Sequence, residues 1–176
     1  VPCDATKALR RFMIEMLLSK GYVTTISDRD YKRVSKLKWY AHEKRRADGS
    51  LKNVYAQCTY RHHGAVKILL LHRFILGVTD PSVEVDHKDH DGLRNCRSNL
   101  RRSTGQQNKQ HSRTRTDNTS GFKGVYWNTK MEIWEACIKV NGKNKWLGAY
   151  LDKKYAALAY DRAARKQFGK FAVTNY

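Results

Sequence analysis

The sequence predicts an α+β protein made of two small units in succession. Three observations carry this expectation. Strand-like and helix-like segments are mixed through the first hundred residues. A polar, core-poor tract, QHSRTRTDNTSG (110–121), then reads as a linker. Beyond it, three strand-like segments separated by turn signals precede a single helical stretch. With 176 residues, 40% of them hydrophobic, the chain can fold as one domain or as two small ones with modest cores.

Taken in order, Leu9, Phe12, Met13, Met16 and Leu17 recur at helical spacing and predict a helix ending near Gly21. YVTTI predicts a strand. Asp28 or Asp30 is placed to cap a short helix carrying Tyr31, Val34 and Leu37. KWYAHEK and VYAQCTY read as paired strands around the turn RADGS, followed by VKILLLHRFILG. Pro81 introduces a short strand, Val83–His87, and NLRRS suggests another. Thr104 with Gln107 forms a capping box that opens a helix containing Asn108. After the polar tract, GFKGVYWNT, EIWEACIKVNGK and NKWLGAYL predict three strands. Asn128-Thr129-Lys130 and Asn141-Gly142 mark the turns, the latter a hairpin signal. Asp152 caps a predicted helix through Phe168, with Tyr155, Ala156, Ala159 and Ala163 on its inner face. Leu147, Tyr150 and Tyr160 read as core, and Trp134 and Trp146 have packing as a natural role.

Charge narrows the function class. Thirty-five Lys and Arg face 16 Asp and Glu, a formal net charge of +19. Such a field concentrates polyanions, nucleic acid first among them, with anionic membrane and a ribosomal-type basic surface as rivals. Seven basic residues and no acidic one lie between Arg94 and Arg115. Cys3, Cys58, Cys96 and Cys137 are dispersed without a Cys-x-x-Cys pair. That spacing argues against structural zinc and suggests reduced thiols in an intracellular, cytoplasmic protein. No apolar run reaches the length of a membrane span, and no signal peptide is read.

The stretch VEVDHKDHDGLRNCRSNLRR, Val83–Arg102, places two Asp-His pairs side by side. With the flanking segments it predicts strand, loop, strand and helix. In that arrangement Asp86 and Asn108 can meet across one divalent cation, since carboxylate and amide oxygens suit a hard ion such as Mg²⁺. His87 beside them can take a proton from water. Blander roles compete at each position. A lone histidine is ordinarily structural, Asn99 can simply close a turn, and His72 ends an apolar run where it can pack. His62 and His63 read as solvated loop or hairpin residues.

Residues 68–111, from ILLLHRFILG through VDHKDHDGLRNCRSNLRRSTGQQNKQH, resemble the HNH nucleases in their ββα-metal, H-N-N form. That form is found in phage and intron-encoded homing endonucleases. The resemblance implies Asp86 and Asn108 as metal ligands, His87 as general base and Asn99 as the residue that orients it. It also implies a Mg²⁺ cofactor, with Mn²⁺ accepted and no structural zinc. His72 and Arg73 match the HR that often precedes the motif. Asp89 and His90 fall in its variable loop, with no role beyond possible DNA contact.

Residues 120–176 resemble an AP2 (ERF-type) DNA-binding domain, a three-stranded antiparallel sheet plus helix. Its reading face here would comprise Lys123, Tyr126, Asn128, Lys139, Asn144, Lys145 and Trp146. Tyrosine and asparagine stand at several places where the plant members carry arginine, the usual reader of guanine.

The expected layout is a basic α/β extension (1–67), an HNH core (68–111), a linker (112–119) and an AP2-like domain (120–176). Double-stranded DNA is the expected partner, held by Arg94, Arg97, Arg101 and Arg102 together with His72, Arg73 and the sheet face. The expected activity is endonucleolytic, leaving 5′-phosphate and 3′-hydroxyl ends. A monomer would nick, whereas a dimer or two visits would cut both strands. A non-catalytic DNA-binding regulator and an RNA-binding basic protein are the alternatives.

Overall fold

The computed structural model describes residues 13–114 and 117–176. They form a mixed α/β architecture with several sheets, divided into two compact units between Thr104 and Gly105. The division thus falls ahead of the 112–119 linker expected from composition.

In the first unit, β1 (Met13–Leu17) pairs antiparallel with β2 (Val23–Ser27). This corrects the helix expected there, as far as it lies within the described residues; Leu9 and Phe12 fall outside them. A short apolar run satisfies either period, and the β-branched partner Val23–Ser27 supplies a backbone ladder that decides it. The pattern in β1 accordingly alternates between exposed and half-buried residues. The short helix α1 (Asp28–Val34) follows, with Ser27 at its N-cap position. Neither aspartate caps it. Asp30 is buried and receives two 2.8 Å hydrogen bonds from the Arg97 guanidinium.

β3 (Tyr40–Arg45), β4 (Leu51–His62) and β5 (Ala65–Leu70) form an antiparallel sheet, and the chain then enters α2 (Leu71–Leu76). Gly77 ends that helix in the left-handed conformation. β6 (Glu84–His87) pairs antiparallel with β8 (Leu100–Ser103). Between them the two-residue β7 (Arg94–Asn95) joins β2 in parallel. Ile26, Val34, Trp39, Ala56, Leu71, Ile75, Val85 and Leu100 share one core. Residues 14–58 and the strand carrying Asp86 and His87 therefore fold around the same apolar interior.

The second unit begins with α3 (Gly105–Gln110). Its sheet runs in the order β11-β10-β9, formed by β9 (Val125–Asn128), β10 (Ile133–Val140) and β11 (Lys143–Tyr150). Asn141 and Gly142 both take positive φ, 51° and 80°, as the Asn-Gly hairpin requires. α4 (Lys153–Phe168) starts where Asp152 accepts a hydrogen bond from the Lys154 amide. Ala156, Ala157, Ala159, Tyr160 and Ala164 form its buried side; Tyr155, expected there, is exposed. Gly124 shows how close the packing is. A Cβ at that position would lie 2.0 Å from the Tyr160 ring.

Candidate active site

The β6–β8 register sets Asp86 opposite Arg101 and His87 opposite Leu100. Directly opposed residues lean toward the same face, so an acid and a base meet. The Arg101 Nε–H donates to Asp86 Oδ2 at 2.7 Å, and both side chains are largely buried.

His87 is buried, and its Nε2 lies 3.2 Å from Asn95 Oδ1. The surrounding bonds fix which ring nitrogen carries the proton. The Thr24 hydroxyl donates to the Leu93 carbonyl at 2.6 Å, so it accepts from Asn95 Nδ2 at 2.9 Å. Asn95 Nδ2 also reaches the Gly92 carbonyl at 3.3 Å. The amide oxygen of Asn95 must therefore face the imidazole. Nε2 is the protonated nitrogen, and Nδ1 is left as the acceptor. Burial lowers the His87 pKa, against a smaller opposing pull from Asn95 and from the charges of Asp89, Asp86 and Asp91.

Two more rings complete the wall. His72 meets His87 edge-on with centroids 5.1 Å apart, and Tyr55 lies 5.8 Å from His72 and 6.1 Å from His87. The Tyr55 hydroxyl accepts a hydrogen bond from Asn53 Nδ2 at 3.2 Å. Burial, and secondarily the Asp86 charge, raises its pKa. His72 is buried with Nδ1 lacking any hydrogen-bond partner among the described residues. Burial, followed by the neighbouring His87 and Arg73, pushes its pKa down to about 3. The loop after His87 presses on this wall through Gly92, where a Cβ would sit 2.3 Å from the Val54 carbonyl.

The second Asp-His pair has a different role. Asp89 Oδ1 accepts from Asn99 Nδ2 and from the Asp91 amide, at 2.8 and 2.9 Å. Asn99 Nδ2 also donates to the Arg94 carbonyl at 2.8 Å, and Asn99 Oδ1 accepts from the Asp89 amide at 3.2 Å. Asn99 thus braces the loop, and Asn95 is the asparagine that touches the His87 ring. This corrects the expectation that Asn99 orients the imidazole directly. Asn95, Thr24 and Tyr55 are not singled out by the sequence. The two-residue β7 has no periodicity to reveal Asn95, and a strand pattern alone does not say which face of β4 meets a histidine.

Several expected DNA contacts are occupied within the fold. Arg73 donates to the Val83 and Asp80 carbonyls at 2.6 and 2.7 Å. Arg97 binds Asp30, and Arg102 donates to the Leu76 carbonyl at 3.0 Å while remaining exposed. Arg94, also exposed, reaches Asp89 at 3.2 Å.

Asn108 is half-buried on α3, within the second unit. In that unit's sheet, the register puts Tyr126, Asn128, Lys139, Asn144 and Trp146 on the face opposite buried Ala136 and Ile138. Lys145 pairs instead with Ile138. Lys123 precedes the sheet, and its ammonium donates to the Gln110 and Ser112 carbonyls, with burial lowering its pKa to about 8. Glu135 stands amid the sheet face, accepting from Tyr126 and Asn128 at 2.5 and 2.7 Å.

The carboxylate beside His87, whose Oδ2 also accepts from Arg101, is of the kind that suits a hard cation. Asp86 offers carboxylate oxygen, whereas burial raises the thiol pKa of Cys58 and Cys96 and so disfavours thiolate ligation. Among the described residues, no three His, Cys, Asp or Glu side chains gather into a metal-ligand group. A carboxylate oxygen of this kind fits a hard cation such as Mg²⁺ and not a thiophilic metal.

Two known proteins are similar to this chain in sequence. No family model matches the chain. It is 34% identical over 110 residues to the uncharacterized HNH endonuclease L560 of Acanthamoeba polyphaga mimivirus, a distant homologue. That alignment takes in 60% of this chain and 56% of the mimivirus protein, so the chain spans just over half of that relative's length. It is also 31% identical over 88 residues to Protein 3.8 of Escherichia phage T7, covering 50% of this chain and 72% of the T7 protein. The chain belongs to the family of T7 Protein 3.8. Among the described residues, no helix is long and apolar enough to cross a membrane.

Proposed function

We propose that the chain is a site-specific, divalent-metal-dependent DNA endonuclease that hydrolyses a phosphodiester to 5′-phosphate and 3′-hydroxyl ends. The observation that carries this reading is the state of His87. A buried imidazole of lowered pKa, with Nε2–H directed at Asn95, keeps a neutral Nδ1 available as a proton acceptor at neutral pH. The homology to an HNH endonuclease and the net charge of +19 support the same reading.

Asp86 would hold Mg²⁺ or Mn²⁺ through its carboxylate. The ion would supply Lewis-acid stabilisation of charge on the phosphate and the departing 3′ oxygen. His87 takes the proton from the attacking water at Nδ1. The imidazolium so formed is stabilised by the Asn95 oxygen at Nε2 and by the nearby Asp89, Asp86 and Asp91 carboxylates. Asn99 holds the loop that carries Asp89 and Asp91. The second unit would grip duplex DNA in the manner of an AP2-like module, through the sheet face bearing Tyr126, Asn128, Lys139, Asn144 and Trp146.

The test is supercoiled plasmid incubated with the full chain in Mg²⁺ or in EDTA, with His87→Ala beside it. Metal-dependent nicking or linearisation is expected, reduced roughly 10²–10⁴-fold by the substitution, the usual worth of a positioned general base. Cutting that persists in EDTA, or in His87→Ala within a few-fold of the parent, overturns the assignment. Binding without cutting would favour a DNA-binding regulator.

A further inference from the structure

We infer that the outer half of the β4–β5 hairpin is a groove-reading ribbon, which engages the DNA major groove to one side of the cleavage site. The inference rests on the proposed reading of His87 for its reference point, and it adds a contact surface outside that site.

Every residue from Thr59 to Ile68 is exposed, yet all belong to a regular ladder or its turn. Thr59 pairs with Ile68, Tyr60 with Lys67, Arg61 with Val66 and His62 with Ala65. His63 and Gly64 close the turn with φ of 49° and 77°, the positive pair whose twist suits two right-twisted strands. A two-stranded hairpin is marginal by itself, and an exposed one that stays regular is a shape made to be covered.

Side-chain alternation decides what each face presents. Tyr60, His62 and Lys67 continue the side of the sheet that roots in buried Cys58. Thr59, Arg61, Val66 and Ile68 continue the opposite side, and that side begins at Tyr55, against His87 and His72. The face that meets the general base therefore runs outward along β4 as an exposed row. At about 3.3 Å per residue, Arg61 stands roughly 20 Å from Tyr55. That distance corresponds to about six base-pair steps of B-DNA.

The chemistry of the row suits base edges. Arginine pairs with guanine, and aliphatic side chains cover thymine methyl groups. Val66 and Ile68 are 64% and 63% exposed, more apolar surface than a solvent-facing strand needs. The major groove is wide enough to admit a two-stranded ribbon. Charge selects DNA over a second copy of the chain as the occupant. No acidic residue occurs from Gly49 through Thr79, while Lys52, Arg61, Lys67 and Arg73 do, and two chains of +19 repel each other.

The experiment measures binding in EDTA to a duplex of about 40 base pairs centred on a nick mapped in plasmid, or of mixed sequence if plasmid is not cut. Three full-length variants are compared with the parent: Arg61→Gln, the double variant Val66→Ser with Ile68→Ser, and Lys67→Gln on the opposite face. The first two are expected to weaken binding about tenfold each, and Lys67→Gln by less than about threefold. Ultraviolet crosslinking of the parent should attach DNA to the peptide containing Arg61. Unchanged affinity in Arg61→Gln and the double variant overturns the inference, whether or not plasmid is cut. So does a parent dimer in sedimentation that the double variant alone dissolves. Loss of binding in these variants with no cutting by the parent would leave the ribbon standing and remove the nuclease reading instead.

Discussion

Acid should loosen the first unit through His72, and the size of the effect follows from its surroundings. Burial, then His87 and Arg73, lowers its pKa from 6.5 to about 3 in the folded chain. The unfolded chain binds that proton more readily, so the stabilisation is present above pH 6.5 and lost as pH falls toward 3. Each pH unit inside that window costs about 1.4 kcal/mol for one such group. Lowering the pH from 6.5 to 4.5 should therefore remove roughly 2–3 kcal/mol through His72 alone. The depressed His87 acts with the same sign. The informative perturbation is His72→Phe. Nδ1 has no hydrogen-bond partner to lose among the described residues, and a phenyl ring retains the edge-on packing against His87 and Tyr55. The variant should match or exceed the parent's stability at pH 7 and lose about 1.4 kcal/mol less per pH unit below 6.5. Urea unfolding followed by circular dichroism at pH 7.0, 5.5 and 4.5 measures both slopes. Equal slopes in parent and variant would mean that His72 takes up its proton without unfolding, and would refute the reasoning.

Three further outcomes are expected. Asn95→Ala removes the amide oxygen that His87 Nε2 meets at 3.2 Å, and plasmid-cutting rate should fall about 10²-fold with duplex affinity retained, as misplacement of a reacting group does. Gly124→Ala forces a Cβ into the Tyr160 ring at a φ of +73°, and calorimetry should show the second unit destabilised by roughly 3 kcal/mol. Duplex affinity measured from 50 to 200 mM salt should fall about 10³-fold, toward the low end for a chain this basic. The low end is expected because Arg73, Arg97 and Arg101 are already bonded within the fold. A nearly flat salt series would assign the charge to another partner.

The residues proposed to carry the chemistry are legible in the sequence alone. Asp86 and His87 are read from a short string because a strand end, an acid and an imidazole are local facts. The second unit is legible for the same reason. Asn141-Gly142 demands positive φ at consecutive positions, and the alanines after Asp152 allow close helix packing. Met13–Leu17 is ambiguous because so short an apolar run fits two periods, and only the ladder with Val23–Ser27 separates them.

The surroundings of the imidazole belong to tertiary structure. Asn95 reaches His87 because β7 docks beside β2, where Thr24, 71 positions away in the chain, turns the amide so that its oxygen faces the ring. Tyr55 and His72 arrive from a strand and a helix that no local pattern connects to Val83–Arg102. Sequence periodicity records which side of an element is apolar, because that depends on neighbours a few residues away. It does not record which distant element will cover that side. The protonated nitrogen of His87 is decided by such distant partners, through a chain of hydrogen bonds that exists only once the first unit has packed.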